Sequence, residues 1–142
     1  MNIEIFIPGQ IPSLKNSKVM GKYPSKTVQK WLRTFGIQHY SSGKKEVTYF
    51  KRIPKQYDFA EIVEPIKKYQ DYPLLIGFHF VRNSNRMWDF GNACQIIQDM
   101  MVAHNVIPDD NVNYLLPFPM IRGDKYWSYD KNTPGVYIKI LN

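Results

Sequence analysis

WDFGNACQIIQDMMVAHNVIPDDNVN, residues 88–113, is the stretch on which the reading of this chain turns. Ala93, Ile96, Ile97, Met100 and Ala103 recur at the helical period and predict a helix over 90–104 with one apolar face. Asp89 stands where an N-cap stands, with a β-rich segment before it. Asn92, Gln95 and Asp99 are spaced i, i+3, i+7 and form a polar stripe along one side. Pro108 marks the end of the run, and Asp109-Asp110 follow on the next loop or at the start of a strand. Between Asp71 and Asp89 there is no acidic residue, and then Asp89, Asp99, Asp109 and Asp110 come in close succession.

Hard divalent cations want oxygen ligands, and Mg²⁺ takes one or two carboxylates plus waters and substrate phosphate. Asp89 and Asp110 meet at one end of the helix only if the chain doubles back through 105–108. Asp99 lies roughly 15 Å along the axis from Asp89, at ~1.5 Å per residue. The returning chain must therefore pass Asp99 for it to join a site. A blander reading stands beside this one. Asp89 is then an ordinary N-cap, Asp99 is solvated, and Asp109-Asp110-Asn111 is a polar turn. The pattern alone leaves both open.

The chain has 142 residues, 44% of them hydrophobic and 15% aromatic. That suits one compact domain with a real core, and it excludes a disordered chain. A single cysteine, Cys94, excludes an internal disulfide and supplies no metal cluster. MNIEIFIPGQ has Glu4 and Pro8 where a signal peptide needs an apolar core, and no run approaches the ~20 residues of a membrane span. The expectation is a cytoplasmic location and no membrane partner. The net charge is +7 and unevenly spread. Residues 1–88 carry fifteen basic and six acidic side chains, a balance of +9, whereas 89–142 carry four and six, a balance of −2. A basic surface beside an acidic cluster suits a polyanion held near a metal site.

Outward from the central stretch, the chain reads as alternating short elements. Residues 2–8 alternate, with Ile3, Ile5 and Ile7 on one face of a half-buried strand. Residues 9–23 form a loop in which Lys15, Lys18 and Lys22 are candidate phosphate contacts. Ser25 caps a basic amphipathic helix over 26–35, ended by Gly36. Val28, Trp31, Leu32 and Phe35 point inward; Lys26, Lys30 and Arg33 do not. Residues 38–52 are the least readable: Lys44, Lys45, Lys51 and Arg52 surround Tyr49 and Phe50, which suits either unpaired nucleic acid or an edge strand or flap. A second helix is expected over 57–69, with Phe59, Ile62, Val63 and Ile66 inward and a break or kink at Pro65. PLLIGFHFV, residues 73–81, is the strongest strand and the expected centre of the sheet. Its His79 is read as a packed or exposed side chain and not as a ligand. Arg82 and Arg86 belong to a basic connection that leads to Asp89. Further strands are expected over 112–122, at an edge because of Pro117 and Pro119, and over 125–129 and 136–141. The elements sum to a single α/β (α+β) domain over 1–142, a mixed sheet with about three helices.

The acidic stretch also resembles a known family. Asp89-x-x-Asn92, then Asp99, then the I-P-D-D-N of residues 107–111 resemble the RusA family of Holliday junction resolvases. The front segment I-P-S-L-K-N, residues 11–16, resembles that family's Pro-Ser-x-Asn segment. P-G-V-Y-I-K-I, residues 134–140, resembles the last strand of members carried by Bacteroidetes and their mobile elements. The resemblance touches most of the chain, although 38–70 is longer than in the shortest members.

The resemblance implies a RusA-like fold and a crossover junction endodeoxyribonuclease. Such an enzyme is Mg²⁺-dependent, with Mn²⁺ as a substitute, and works as a homodimer on branched, four-way DNA in recombination and repair. Its symmetric paired nicks are ligatable. By position, Asp89 matches the first essential carboxylate and Asp110 the last. Two residues depart from the pattern: Gly91 replaces a metal-ligating Asp, and Gln95 replaces a lysine. Either the site is rebuilt around Asp89, Asp99, Asp109 and Asp110, or activity is weak or lost. In the active reading, Asp89 and Asp110 hold the metal, Asp99 or Asp109 holds a second ion or orients water, and Asn92 and Gln95 support them. Lys15, Lys18, Lys22, Lys26, Lys30, Arg33, Lys44, Lys45, Arg82 and Arg86 are the expected DNA contacts. The alternative is a catalytically weakened or inactive structure-selective DNA-binding protein of the same fold.

Overall fold

The longest apolar run becomes the middle of a sheet. A computed structural model of the chain describes residues 3–13, 18–19, 23–41 and 46–142. Strand β6 (Leu74–Arg82) lies between β9 (Gly135–Ile140) on one side and β7 (Leu115–Pro119) and β8 (Ser128–Tyr129) on the other. β9 is antiparallel to it, whereas β7 and β8 are parallel and share its other edge end to end. β1 (Glu4–Pro8) completes the sheet, antiparallel to β9. The sheet is mixed, as expected, and β6 is buried along nearly its whole length, on both faces. Leu74, Ile76, Phe78 and Phe80 share one face, with Ile5 and Ile7 of β1 and Val136, Ile138 and Ile140 of β9 in the same core. On the other face the chain after β7 lies close: a Cβ on Gly77 would come within 3.0 Å of Met120 Cβ. β7 is an edge strand, and Pro117 and Pro119 cost it little because an edge leaves N–H groups unpaired anyway.

Three helices cover the core face. α1 (Lys26–Arg33) starts at Ser25, whose hydroxyl accepts from the Val28 N–H at 3.3 Å. It stops two residues earlier than expected, at Thr34. Gly36 then adopts φ +68°, a conformation that favours glycine. Val28, Trp31, Leu32 and Phe35 are all buried, and Lys26, Lys30 and Arg33 are exposed. α2 (Phe59–Lys67) starts at Asp58, which accepts from the Glu61 N–H at 3.2 Å. Of the expected break or kink, there is no break: the helix continues through Pro65. Pro65 removes the N–H that would bond to the Glu61 carbonyl, but both residues are exposed, so that carbonyl is open to solvent. α3 (Phe90–Ala103) connects β6 to parallel β7.

Two segments differ from the sequence reading. β4 (Ile37–Ser41) pairs antiparallel with β5 (Glu46–Tyr49) in a two-stranded sheet separate from the main one. Within the expected 9–23 loop, β2 (Lys18–Val19) pairs with β3 (Tyr23–Pro24). Among the described residues no helix is long and apolar enough to cross a membrane.

Candidate functional site

Helix α3 is more enclosed than its single apolar face implied. Besides Ala93, Ile96, Ile97, Met100 and Ala103, the structure buries Cys94, Gln98, Met101 and Val102. After the first residue, the positions left at or near the surface are Gly91, Asn92, Gln95 and Asp99. The polar stripe is therefore the whole outward surface of this helix. Burial of Cys94 pushes its thiol far above the usual range, which keeps it protonated.

Each member of the stripe has a defined partner. Asp89 is the N-cap: its Oδ1 accepts from the Asn92 N–H at 2.9 Å. Asn92 Nδ2 donates to the Ser13 carbonyl at 3.3 Å, which ties the front segment to the start of α3. Gln95 Nε2 donates to Asp99 Oδ1 at 2.8 Å and to Asp110 Oδ2 at 2.7 Å. One amide thus holds two carboxylates within its reach of each other. The chain does double back after α3: Asn105 takes φ 58°, and Val106 and Ile107 are buried. This lays Asp110 against the second turn of the helix. Asp110 meets Gln95 and, through it, Asp99.

The remaining carboxylate, Asp109, turns to its own loop. It accepts from the Asp110 N–H at 2.8 Å and from Asn111 Nδ2 at 3.3 Å, so it shapes the turn that presents Asp110. Ion pairs among the described residues are Lys55–Asp58 and Arg122–Glu4, and Asp89 and Asp110 belong to neither. Tyr40 of β4, which the sequence reading did not assign to the site, lies near Asp99. Burial first, and the Asp99 charge second, hold its hydroxyl protonated far above the usual range.

The expected cations take different places in the structure. Lys26, Lys30 and Arg33 form the exposed side of α1, with the Arg33 guanidinium 5.3 Å from the Phe50 ring centroid. Arg86 is exposed beside Asp89 in sequence. Arg82 is a correction. It is 7% exposed, donates to the Ile11 carbonyl, and stacks on Trp88 at 5.0 Å. Its guanidinium fastens the front segment to the end of β6 and is not on a surface that DNA can reach. Lys18 lies on β2, whereas Lys15, Lys22, Lys44 and Lys45 lie outside the described residues.

The donor chemistry suits a hard cation in part. Asp99 and Asp110 offer two partly exposed carboxylates, the number that Mg²⁺ uses when it keeps several waters. Gln95 Nε2 donates to both carboxylates, so Asp99, Asp110 and Gln95 are the residues that would hold such an ion. Rotated about its last bond, the same amide presents Oε1, a hard ligand, instead of a donor. A group of three acidic, histidine or cysteine ligands is not assembled among the described residues. Compared with protein-family models, curated proteins and solved structures, the chain has no significant match.

Proposed function

We propose that this chain is a Mg²⁺-dependent, structure-selective endonuclease that resolves four-way (Holliday) DNA junctions by symmetric paired nicks, a RusA-like homodimer acting in cytoplasmic DNA recombination and repair. The observation that carries the reading is the surface of α3. Its outward positions gather Gln95, Asp99 and the returning Asp110 into one cluster, in a chain of net charge +7. Asp99 and Asp110 would hold the ion, with Gln95 Oε1 as a third donor. When bound, Mg²⁺ polarises the scissile phosphate and lowers the pKa of a coordinated water. The chain's own part is to orient. Asn92 anchors the front segment beside the helix, Asp109 fixes the loop that carries Asp110, and Lys26, Lys30 and Arg33 neutralise DNA phosphates.

Gln95 also favours a second reading. An amide already satisfies both carboxylates, and Gly91 lacks the carboxylate of the resembling family. A silent junction-binding protein would look the same. Electrophoresis of a four-way junction against linear duplex separates these readings from a chain with no DNA role. Junction-selective binding that weakens steeply with salt supports DNA recognition through released counterions. Nicking on addition of Mg²⁺ or Mn²⁺ identifies the enzyme, and binding without nicking identifies the silent relative. Absence of junction binding at low salt overturns both.

A further inference from the structure

A groove lies beside the C-terminal end of the sheet's central strand, next to β8. This open groove of about 380 Å³ is lined by Asn85, Asp124, Lys125, Tyr126, Trp127 and Tyr129. That volume is in the range of small-ligand sites, ~300–1,000 Å³. β8 explains its composition. Ser128 meets His79 Nε2 at 2.7 Å, so strand alternation turns its neighbour Tyr129 the other way, and Trp127 precedes the strand. Tyr126 is 59% exposed and Tyr129 50%. Two tyrosines this exposed, beside a tryptophan, are unusual on a surface with no partner.

The tryptophan is held in place. Trp127 packs edge-on against Trp88, with centroids 5.7 Å apart and planes at 73°. Trp88 is fixed by the Arg82 guanidinium on its ring and by contacts with Phe80 and Phe90. Trp88 also immediately precedes Asp89, the cap of α3. The ring framework of the groove is therefore continuous with the start of the helix that carries the candidate site. Lys125, exposed, lines the groove, and the exposed Arg86 follows the lining residue Asn85 in sequence. Both are cations suited to a phosphate.

We infer that this groove is a stacking site for an unpaired nucleobase, taking a nucleotide that leaves the stack where DNA strands exchange. The inference rests on the DNA reading proposed above. Aromatic faces stack any base, Lys125 and Arg86 neutralise the flanking phosphates, and the amide of Asn85 offers a donor and an acceptor to a base edge. Base–aromatic stacking of this kind is worth ~1–3 kcal/mol per base, a five- to hundredfold change in affinity.

The test uses the full chain and three DNAs of equal length: fully paired duplex, a four-way junction, and a duplex with one central unpaired nucleotide carrying 2-aminopurine. The groove reading expects the 2-aminopurine emission to be quenched on binding. It also expects Tyr126→Ala to bind the unpaired-nucleotide DNA at least fivefold more weakly than the wild type, with duplex affinity unchanged. Tyr126 is exposed, so this variant keeps the fold; Trp127→Phe, which keeps a ring against Trp88, is expected to show a smaller loss of the same kind. If the wild type binds the junction and the 2-aminopurine DNA without quenching, and Tyr126→Ala binds as tightly as the wild type, the groove inference is overturned while the DNA reading stands. If the wild type binds none of the three DNAs, the DNA reading itself fails.

Discussion

Gly91 is the residue at which the candidate site departs most from a two-carboxylate start. It is exposed in the first turn of α3, and a Cβ there would stand 3.3 Å from Asp89 Oδ1. Gly91→Asp would therefore put a second carboxylate beside Asp89. The helix tolerates it, since Asp has the better helix propensity and suits the positive end of the helix dipole. Mg²⁺-dependent nicking is expected to rise by about tenfold or more, equivalent to ~1.4 kcal/mol of barrier. A folded variant with unchanged nicking would mean that no ion binds at the Asp89 end of α3, leaving the site to Asp99, Asp110 and Gln95. The stripe of Asn92, Gln95 and Asp99 was readable in the sequence because helical spacing alone places it. The Gln95 bridge was not, because it depends on how far the chain returns after Asn105. The burial of Arg82 was also hidden: a cation next to a loop reads as surface until Trp88 and the Ile11 carbonyl are seen to enclose it.

At the scale of elements, periodicity was most informative where burial is one-sided. β1, with Ile5 and Ile7 inward, and α1, with Val28, Trp31 and Leu32 inward, follow their patterns closely. It was least informative for β4 and β5, whose partly exposed residues pair only with each other and leave no single apolar face to read. α2 gives a direct test of backbone energetics. Pro65→Ala restores the N–H that can bond to the Glu61 carbonyl. The helix gains ~3 kcal/mol of propensity and loses up to ~1 through a freer unfolded chain, leaving about 2 kcal/mol. Urea unfolding reads this as a higher midpoint at constant slope; an unchanged midpoint would mean that α2 is already frayed at Pro65. His79, in β6, and His104, the C-cap of α3, give a pH test. Burial lowers both imidazole pKa values, with Arg122 adding to the effect at His79 and Lys67 at His104, against hydrogen bonds to the Met120 and Met100 carbonyls and the Asp58 charge at His104. The folded state thus prefers neutral histidine. Its contribution is complete above the unfolded value of ~6.5 and is lost as the pH falls from there toward the lowered folded values. The urea midpoint is expected to drop between about pH 7.5 and 5.5, and the drop should shrink in His79→Gln. An equal drop in that variant would assign the effect elsewhere.

For the whole molecule, the α+β class, the single domain and the central place of β6 follow from a sequence with one dominant apolar run and four shorter ones. Charge segregation follows the same division: the basic first half supplies α1, and the acidic second half supplies the loop that brings Asp110 to the helix. The central claim is that Asp110 serves a metal and not merely a turn. Asp110→Asn preserves size, and Gln95 can rotate to present Oε1 to the new amide, so the local hydrogen bond survives without the charge. Asp71→Asn, at an exposed carboxylate far from the cluster in sequence, is the control. The decisive measurement is the rate of Mg²⁺-dependent nicking of a four-way junction by the wild type and these two variants, with junction affinity measured alongside. The expected result is a loss of roughly a hundredfold or more in Asp110→Asn, the scale of removing a group that stabilises transition-state charge, with binding retained and Asp71→Asn unchanged. Nicking by Asp110→Asn at the wild-type rate would contradict the account.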